Sequence, residues 1–189
     1  MCGVIKVHDF NDSLKRSHEA ENLPIWEEVY RKAFPQFVKM ITYRADGFWQ
    51  REGVDRGIML STTKQILIDE KIRSKDYGDI LLEYISSDRS GSKGWVCKPL
   101  RADYIAYLIA PSGICYLLPV IQLQNAWSKY GEKWIKKYKK IVAPNKGYNT
   151  ISVGVPIKEL WPKIGNEFRV NFNPFCEVEI PNFKMDEPF

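Results

Sequence analysis

The sequence contains few of the residues that stabilise small secreted or zinc-dependent proteins. Only four cysteines occur in 189 residues. Cys2, Cys97, Cys115 and Cys176 form no CxxC pair and have no histidine cluster nearby. This spacing argues against a zinc finger and a disulfide framework, and it is typical of a protein in a reducing cytoplasm.

Long hydrophobic runs and nucleotide-binding motifs are also missing. No apolar stretch approaches the roughly 20 residues of a membrane span, and the N-terminal MCGVIKVHDFND carries acids and a histidine where a signal peptide is apolar. We therefore expect a soluble cytoplasmic protein with no membrane partner. Dehydrogenases and nucleotide-driven motors are disfavoured, because no GxGxxG opens a helix and no GxxxxGK[ST] occurs.

The residues that are present have an ordinary globular composition. Hydrophobic side chains make up 44%, and 28 Lys plus Arg against 23 Asp plus Glu give a net charge of +5. Without repeats or linkers, this length favours a single domain over 1–189, with a core at about 16–164 and a C-terminal arm at 165–189. We expect the arm to pack on the domain or on a second subunit, since it contains Phe168, Phe172, Phe175, Phe183 and Phe189.

Hydrophobic periodicity and turn residues predict an α/β order of elements. The predicted helices cover 16–34, 121–140 and 157–164. The predicted strands cover 37–44, 50–60, 65–73, 104–110, 114–120 and 151–155. The segment at 80–85 fits either a strand or a short buried segment. Polar loops are expected at 86–94, as a mobile flap, and at 144–148.

The strand predicted at 65–73 carries the most informative polar residues. Side chains alternate along a strand, so Asp69 and Lys71 share one face. A turn near Thr62 would bring Asp55 opposite Asp69 or one residue away. Two carboxylates in one place repel each other unless a cation lies between them, and Mg²⁺, or Mn²⁺, is the natural candidate. The alternative is that these are solvated charges on an open sheet.

Asp55 followed across a hairpin by Asp69-Glu70-Lys71 resembles the signature of the PD-(D/E)xK nuclease superfamily, although Val54 replaces the proline. The resemblance implies an α/β restriction-endonuclease-like three-layer core, with a central mixed β-sheet flanked by helices. That core runs helix, three antiparallel strands, helix, strand. It also implies that Asp55 and Asp69 hold the metal, that the Glu70 backbone carbonyl is a further ligand and that Lys71 assists the attacking water.

Members of that superfamily often add an acid from the first helix, and Glu21 is our candidate. Glu19, Glu27 and Glu28 stay open, and complementing the helix dipole is an equal explanation for Glu21. The side chain of Glu70 lies on an apolar face, so we expect it either to pair with a basic residue or to lie at the end of the strand.

Cations that follow the motif are candidates for binding nucleic acid. Arg73 and Lys75 continue from the motif strand, and the segment 129–140 interleaves lysines with aromatic residues. The candidate lysines are Lys133, Lys136, Lys137, Lys139 and Lys140. The alternative is the solvated face of an amphipathic helix. Glu83 is a candidate for a further acid in the cleft. Gly94 and Trp95 with Lys98, Arg101 and Asp103 are candidates for a substrate-facing edge, although Trp95 is better explained as a core residue.

These observations lead to one main hypothesis and two alternatives. The main hypothesis is a Mg²⁺-dependent endonuclease or exonuclease that hydrolyses DNA in a phage, mobile element, restriction or repair system, with a second copy of the chain as a candidate partner in a homodimer. The first alternative is a non-catalytic nuclease-fold module that binds nucleic acid or protein. The second is a metal-dependent phosphoesterase for small nucleotides, which needs a closed pocket.

Overall fold

The computed structural model describes residues 25–166, which form four helices and nine strands. The helices are α1 (Ile25–Ala33), α2 (Gly47–Arg51), α3 (Val120–Lys137) and α4 (Ile157–Asn166). The strands are β1 (Phe37–Thr42), β2 (Arg56–Leu60), β3 (Gln65–Arg73), β4 (Asp79–Ser87), β5 (Ser92–Lys93), β6 (Tyr104–Ile109), β7 (Ile114–Pro119), β8 (Lys140–Asn145) and β9 (Tyr148–Pro156). Glu21 and the arm from residue 167 onward lie outside the described residues.

The larger sheet is a mixed five-stranded sheet with the order β1-β2-β3-β6-β7. Strands β1, β2 and β3 pair antiparallel, β3 and β6 pair in parallel, and β6 and β7 pair antiparallel. Parallel neighbours need a crossover between them, and here the chain leaves the sheet after β3 and returns in β6. The motif strand β3 is therefore in the centre of the sheet.

The crossover contributes to a second sheet, which is antiparallel and has the order β5-β4-β9-β8. Strand β4 follows β3 directly, whereas β9 comes near the end of the described chain and pairs antiparallel with β4. The family resemblance implies a helix between β3 and its parallel neighbour, and the structure has the β4–β5 hairpin there.

Two hydrophobic clusters lie on opposite faces of the five-stranded sheet. One face packs on α1, through fully buried Trp26 and Tyr30 against Ile68 and Leu108. The other face packs on the second sheet, α3 and α4, through buried residues that include Ile105, Leu82, Leu123 and Leu160. The mixed α/β class is confirmed, but helices alone do not flank the sheet, because β4 and β9 share its second face.

Three local predictions are wrong for identifiable reasons. The strand predicted to begin at residue 50 begins at Arg56, because the Asp46 carboxylate accepts from Phe48 N at 2.8 Å and caps α2. The segment predicted as a flap at 86–94 contains the end of β4, a turn and β5. Pro144, predicted to lie in a loop, lies in β8, an edge strand that tolerates proline.

The helix predicted at 121–140 is α3, and its aromatic residues contribute to the core. Trp134 is only 4% exposed, whereas Lys133 and Lys136 are exposed. This division fits an amphipathic helix with a solvated basic face. None of the helices between residues 25 and 166 is long and apolar enough to cross a membrane.

Candidate active site

The β2–β3 hairpin brings the predicted acids together. The ladder pairs Arg56 with Ile68, and a regular continuation would place Asp55 opposite Asp69. Asp55 N instead donates to Ile68 O at 2.8 Å, one residue out of that register, so the ladder is irregular here and Asp55 lies near Asp69 without a regular strand pair. Beyond the end of β2, Glu70 N donates to the Asp55 carboxylate at 2.7 Å, and this hydrogen bond fixes the position of the Asp55 side chain.

The three predicted catalytic side chains meet on the face of the sheet turned away from α1. Lys71 Nζ lies 2.5 Å from Asp69 Oδ1. Asp55 and Asp69 are close enough for a hydrogen bond between their carboxyl groups. The Asp69 side chain is 6% exposed and that of Lys71 33%, while that of Asp55 is 17% exposed. The cluster is thus largely buried but open on the side of Lys71.

Burial controls the protonation of this cluster. It raises the pKa of Asp69 to about 6; Lys71 opposes this shift and Asp55 reinforces it. For Lys71, burial alone would lower the pKa, but the Asp69 and Asp55 carboxylates outweigh it and raise the pKa above its usual range. Lys71 therefore remains a cation at neutral pH.

The Glu70 side chain points to the α1 face, where three residues satisfy it. Its carboxylate accepts from Tyr30 Oη at 2.8 Å and Arg44 at 2.8 Å, and it pairs with Arg56 Nε at 3.2 Å. Burial raises the pKa of Glu70 while Arg56 and Arg44 lower it, and the net shift is upward. The expected basic partner is confirmed, and the carboxylate is not part of the Asp55–Asp69 cluster.

Arg44 connects the two faces of this region. Its guanidinium lies 3.3 Å from Asp55 Oδ2 as well as 2.8 Å from Glu70 Oε2. Neither Arg44 nor Tyr30 was predicted to be near the site. The available signal was the unpaired Glu70 on an apolar face, which required a partner without showing which one.

Strand β4 of the second sheet forms the side of the site that faces the cluster of Asp55, Asp69 and Lys71. The Arg73–Asp79 ion pair and the bond from Leu81 N to Tyr107 Oη at 3.2 Å hold β4 against β3 and β6. Glu83 follows two residues later, and its carboxylate interacts with Lys71 and Lys98. Burial raises the pKa of Glu83, although both lysines lower it. Glu83, which the sequence suggests as a further acid of the cleft, is therefore near enough to Lys71 and Lys98 to interact electrostatically with both.

Gly94 permits the close approach that brings Lys98 to this place. A Cβ on Gly94 would lie 2.2 Å from the Glu83 carbonyl oxygen, a distance that no side chain allows. Val96 N donates to the same carbonyl at 3.2 Å, and the Glu83 carboxylate accepts from the backbone N–H of Trp95. Trp95 is 8% exposed and belongs to the core, as expected.

The oxygen atoms around Asp55 and Asp69 determine whether a divalent cation fits this site. Among residues 25–166, no three His, Cys, Asp or Glu side chains lie close enough to hold a metal by themselves. The oxygen donors of Asp55 and Asp69 do suit Mg²⁺. The Glu70 N–H points to the Asp55 side of β3. The N–H and C=O groups of one strand residue point to the same side, so the Glu70 carbonyl also points toward Asp55. Two carboxylates and one carbonyl therefore fit a cation whose remaining ligands are water.

The candidate nucleic-acid-binding residues lie at two separate places. Arg73 bonds to the carboxylate and carbonyl of Asp79 and stacks on Tyr77 at 4.8 Å, while Lys75 is exposed in the following turn. The lysine cluster spans the end of α3 and the start of β8. Gln124 of α3 bonds to the Lys98 carbonyl at 2.8 Å, and Lys136 lies about 18 Å further along the helix axis.

Comparison with known proteins gives no match. No family model, no curated protein and no solved structure is similar enough to this chain to indicate a family or an activity.

Proposed function

We propose that this protein is a metal-dependent nuclease of the PD-(D/E)xK type, which hydrolyses phosphodiester bonds in DNA. The observation that carries the proposal is the meeting of Asp55, Asp69 and Lys71 on one face of the β2–β3 hairpin. The mixed sheet, with three antiparallel strands and a parallel neighbour after α1, supports a restriction-endonuclease-like fold.

Each residue of the cluster has a distinct role in this proposal. Asp55 and Asp69, with the Glu70 carbonyl, would hold Mg²⁺ or Mn²⁺. The bound cation would lower the pKa of water and offset the charge that develops on the phosphoryl group. Lys71 orients the attacking water and adds positive charge. When Asp69 is occupied by the cation, Glu83 is the carboxylate that still faces Lys71.

The substrate phosphates next to the cut would meet Lys98, and those further away would meet the lysine cluster. Lys136 is about 18 Å along α3 from Gln124, which bonds to the Lys98 carbonyl. In this proposal the lysine cluster, made of Lys133, Lys136, Lys137, Lys139 and Lys140, contacts phosphates away from the cut. At 3.4 Å per base pair, 18 Å corresponds to about five base pairs of duplex. DNA is therefore the partner that best uses both basic regions.

A cleavage assay tests this function. Purified protein is incubated with plasmid, linear duplex, single-stranded DNA and a mononucleotide ester, in Mg²⁺, Mn²⁺ or EDTA. Cutting of DNA should require the metal and disappear in Asp69→Ala and Lys71→Ala. The exposed Asp76→Ala is the matched control and should cut normally. Cleavage of the ester alone would identify a small-nucleotide phosphoesterase.

The second candidate is a non-catalytic module, and one observation favours it. Lys71 and Arg44 already neutralise Asp69 and Asp55, so the acids need no metal to be stable. Calorimetry with Mn²⁺ separates the candidates, because a nuclease should bind the ion and lose this binding in Asp69→Ala. Absence of both cutting and metal binding would establish the module.

A further inference from the structure

Strand β7 ends the five-stranded sheet, and among residues 25–166 no strand pairs with its outer edge. Val120 N donates to Asp103 O at 2.9 Å, and this hydrogen bond sets the alternation along the antiparallel ladder of β6 and β7. The N–H and C=O groups of Tyr116 therefore point to β6, whereas those of Cys115 and Leu117 point outward. These outward groups are free to pair with an added strand as far as the described residues are concerned.

The other edge strands of the described residues carry features that hinder pairing with another chain. Strand β1 has a bulge between Phe37 and Lys39, β8 contains Lys140 and Pro144, and β5 is only two residues long. Bulges, lysines, prolines and short length are the usual protections of a sheet edge. Residues 114–118 of β7 include no charge and no proline, and they pair with β6 without a register shift. Strand addition is therefore least hindered at β7.

A groove lies on each side of this edge. On the face turned away from α1, a groove of about 770 Å³ is lined by Tyr77, Tyr116 and Trp161 together with prolines. Tyr77 is 63% exposed and Trp161 48%. On the α1 face, a groove of about 360 Å³ is lined by Glu28 and Lys32 beside apolar residues. Large exposed aromatic rings next to an unprotected edge indicate an interaction surface.

The edge of β7 is complementary to the same edge of a second copy. Two identical strands can pair antiparallel about a two-fold axis, and an axis at Tyr116 places Cys115 opposite Leu117 of the partner subunit. Both residues point their N–H and C=O groups outward, so this register uses every outward group of the two. The two Tyr116 side chains then form a non-hydrogen-bonded cross-strand pair, a position where aromatic pairs are stabilising.

The side chains on both faces fit the same two-fold arrangement. The axis turns the two α1 helices antiparallel to each other. Glu28 and Lys32 lie one turn apart and line the groove beside β7, so the acid of one copy can pair with the base of the other. On the opposite face, the exposed rings of Tyr77 and Trp161 lose contact with water where the two aromatic grooves meet.

We propose that two copies of this chain associate through β7, in an antiparallel pairing centred on Tyr116 that joins their two five-stranded sheets into one. Each copy contributes the same surface, so the interface is closed and the assembly stops at a dimer. Pairing also covers an edge that would otherwise add other chains. This inference is independent of the proposed nuclease activity, because β7 carries none of Asp55, Asp69 and Lys71.

Sedimentation equilibrium of the full-length protein over a range of concentrations tests the association. The mass should approach twice the 22.0 kDa of one chain. Tyr116 is partly exposed, and Tyr116→Lys would set two cations together at the axis, so it should weaken association about tenfold or more. Val142→Lys is the matched control, because Val142 is half-exposed in the β8 edge strand, and it should leave the association unchanged.

Residue-resolved hydrogen exchange locates the interface without a substitution. The amides of Cys115 and Leu117 should exchange about tenfold more slowly, or slower still, at concentrations where the dimer predominates than at concentrations where it dissociates. The amide of Tyr116 bonds to β6 in both states, so its exchange should not depend on this dissociation.

Three results would overturn the proposal. The mass of a single chain at all concentrations up to about 1 mM would mean that the copies do not associate. A dimer that Tyr116→Lys does not weaken would have its contact elsewhere. Slow exchange at Cys115 and Leu117 that does not depend on concentration would mean that another part of the same chain covers the edge. If Tyr116→Lys unfolds, the exchange comparison on the wild-type protein decides.

Discussion

The surroundings of the Asp69 carboxyl group favour its neutral, protonated form. It is fully within the protein except on the side of Lys71, and the neighbouring Asp55 adds repulsion. Residues that are required for chemistry are often unfavourable for stability, because the charge needed for function has lost much of its hydration. If the proposed function is correct, Asp69 is the residue where this conflict is largest.

Asp69→Asn should therefore stabilise the protein at neutral pH while it removes activity. The pKa rises from 3.8 in the unfolded chain to about 6 in the fold. The folded state thus binds more protons in this window, and the contribution of Asp69 to stability falls as the pH rises from about 4 to 6. We expect a gain of about 1–3 kcal/mol at pH 7.5.

Chemical denaturation at a series of pH values measures this effect. The gain from Asp69→Asn should shrink toward zero near pH 4, where Asp69 is protonated in the folded wild-type protein. A gain of equal size at pH 4 and pH 7.5 would show that the charge is not its cause.

Tyr30→Phe tests the buried cluster on the α1 face. The substitution removes the hydrogen bond from Tyr30 to the Glu70 carboxylate and leaves the ring packing intact. A lost bond to a buried charge costs about 1.5–3 kcal/mol, so the free energy of unfolding should fall by this amount. Tyr77→Phe, at an exposed position, is the control and should have no effect.

Among the elements, the β2–β3 hairpin shows which structural features local sequence patterns can predict. The strand 65–73 and the proximity of Asp55 to Asp69 follow from alternation and turn position, which are local properties. Arg44 and Tyr30 are 26 and 40 residues from Glu70. Their pairing depends on how β1 and α1 pack on the sheet, and a pattern of neighbouring residues does not contain that information.

The β4 strand contributes Glu83, whose substitution separates positioning from folding. If the protein is the proposed nuclease, Glu83→Gln should lower kcat about tenfold with little change in DNA affinity, because Lys71 loses its second carboxylate. Burial disfavours the Glu83 charge, so the thermal stability should not fall. Glu83→Asp should recover part of kcat, and Asp88→Asn, just after β4, is the control. An equal loss of kcat and stability would indicate a structural role.

The end of α3 and the start of β8 form the element that should determine salt dependence. Replacing Lys133, Lys136 and Lys139 by glutamine removes up to three phosphate contacts. The slope of log affinity against log salt should become shallower by about 2 to 3. The triple substitution of exposed Lys39, Lys64 and Lys146 is the matched control. An unchanged slope would show that DNA does not reach the lysine cluster.

For the molecule as a whole, the sequence predicts the strands better than their grouping into sheets. The order of strands along the chain was largely recovered, but β4 and β9 pair across more than 60 residues to form a second sheet. Such pairing is determined by long-range packing against α3 and α4. In addition, the hydrophobic pattern at 80–85 fits a strand and a short buried segment equally well. The second sheet was therefore not predicted.

The long separation of β4 from β9 has a consequence for synthesis. Asp55 and Asp69 of the β2–β3 hairpin leave the ribosome early. Strand β9 begins at residue 148, about 60 residues after β4 ends at Ser87. At 5–20 residues per second this delay lasts about 3–12 s. The side of the site that carries Glu83 is completed only after that interval. Under the proposed function, the site would therefore assemble only when nearly all of the described residues have been translated.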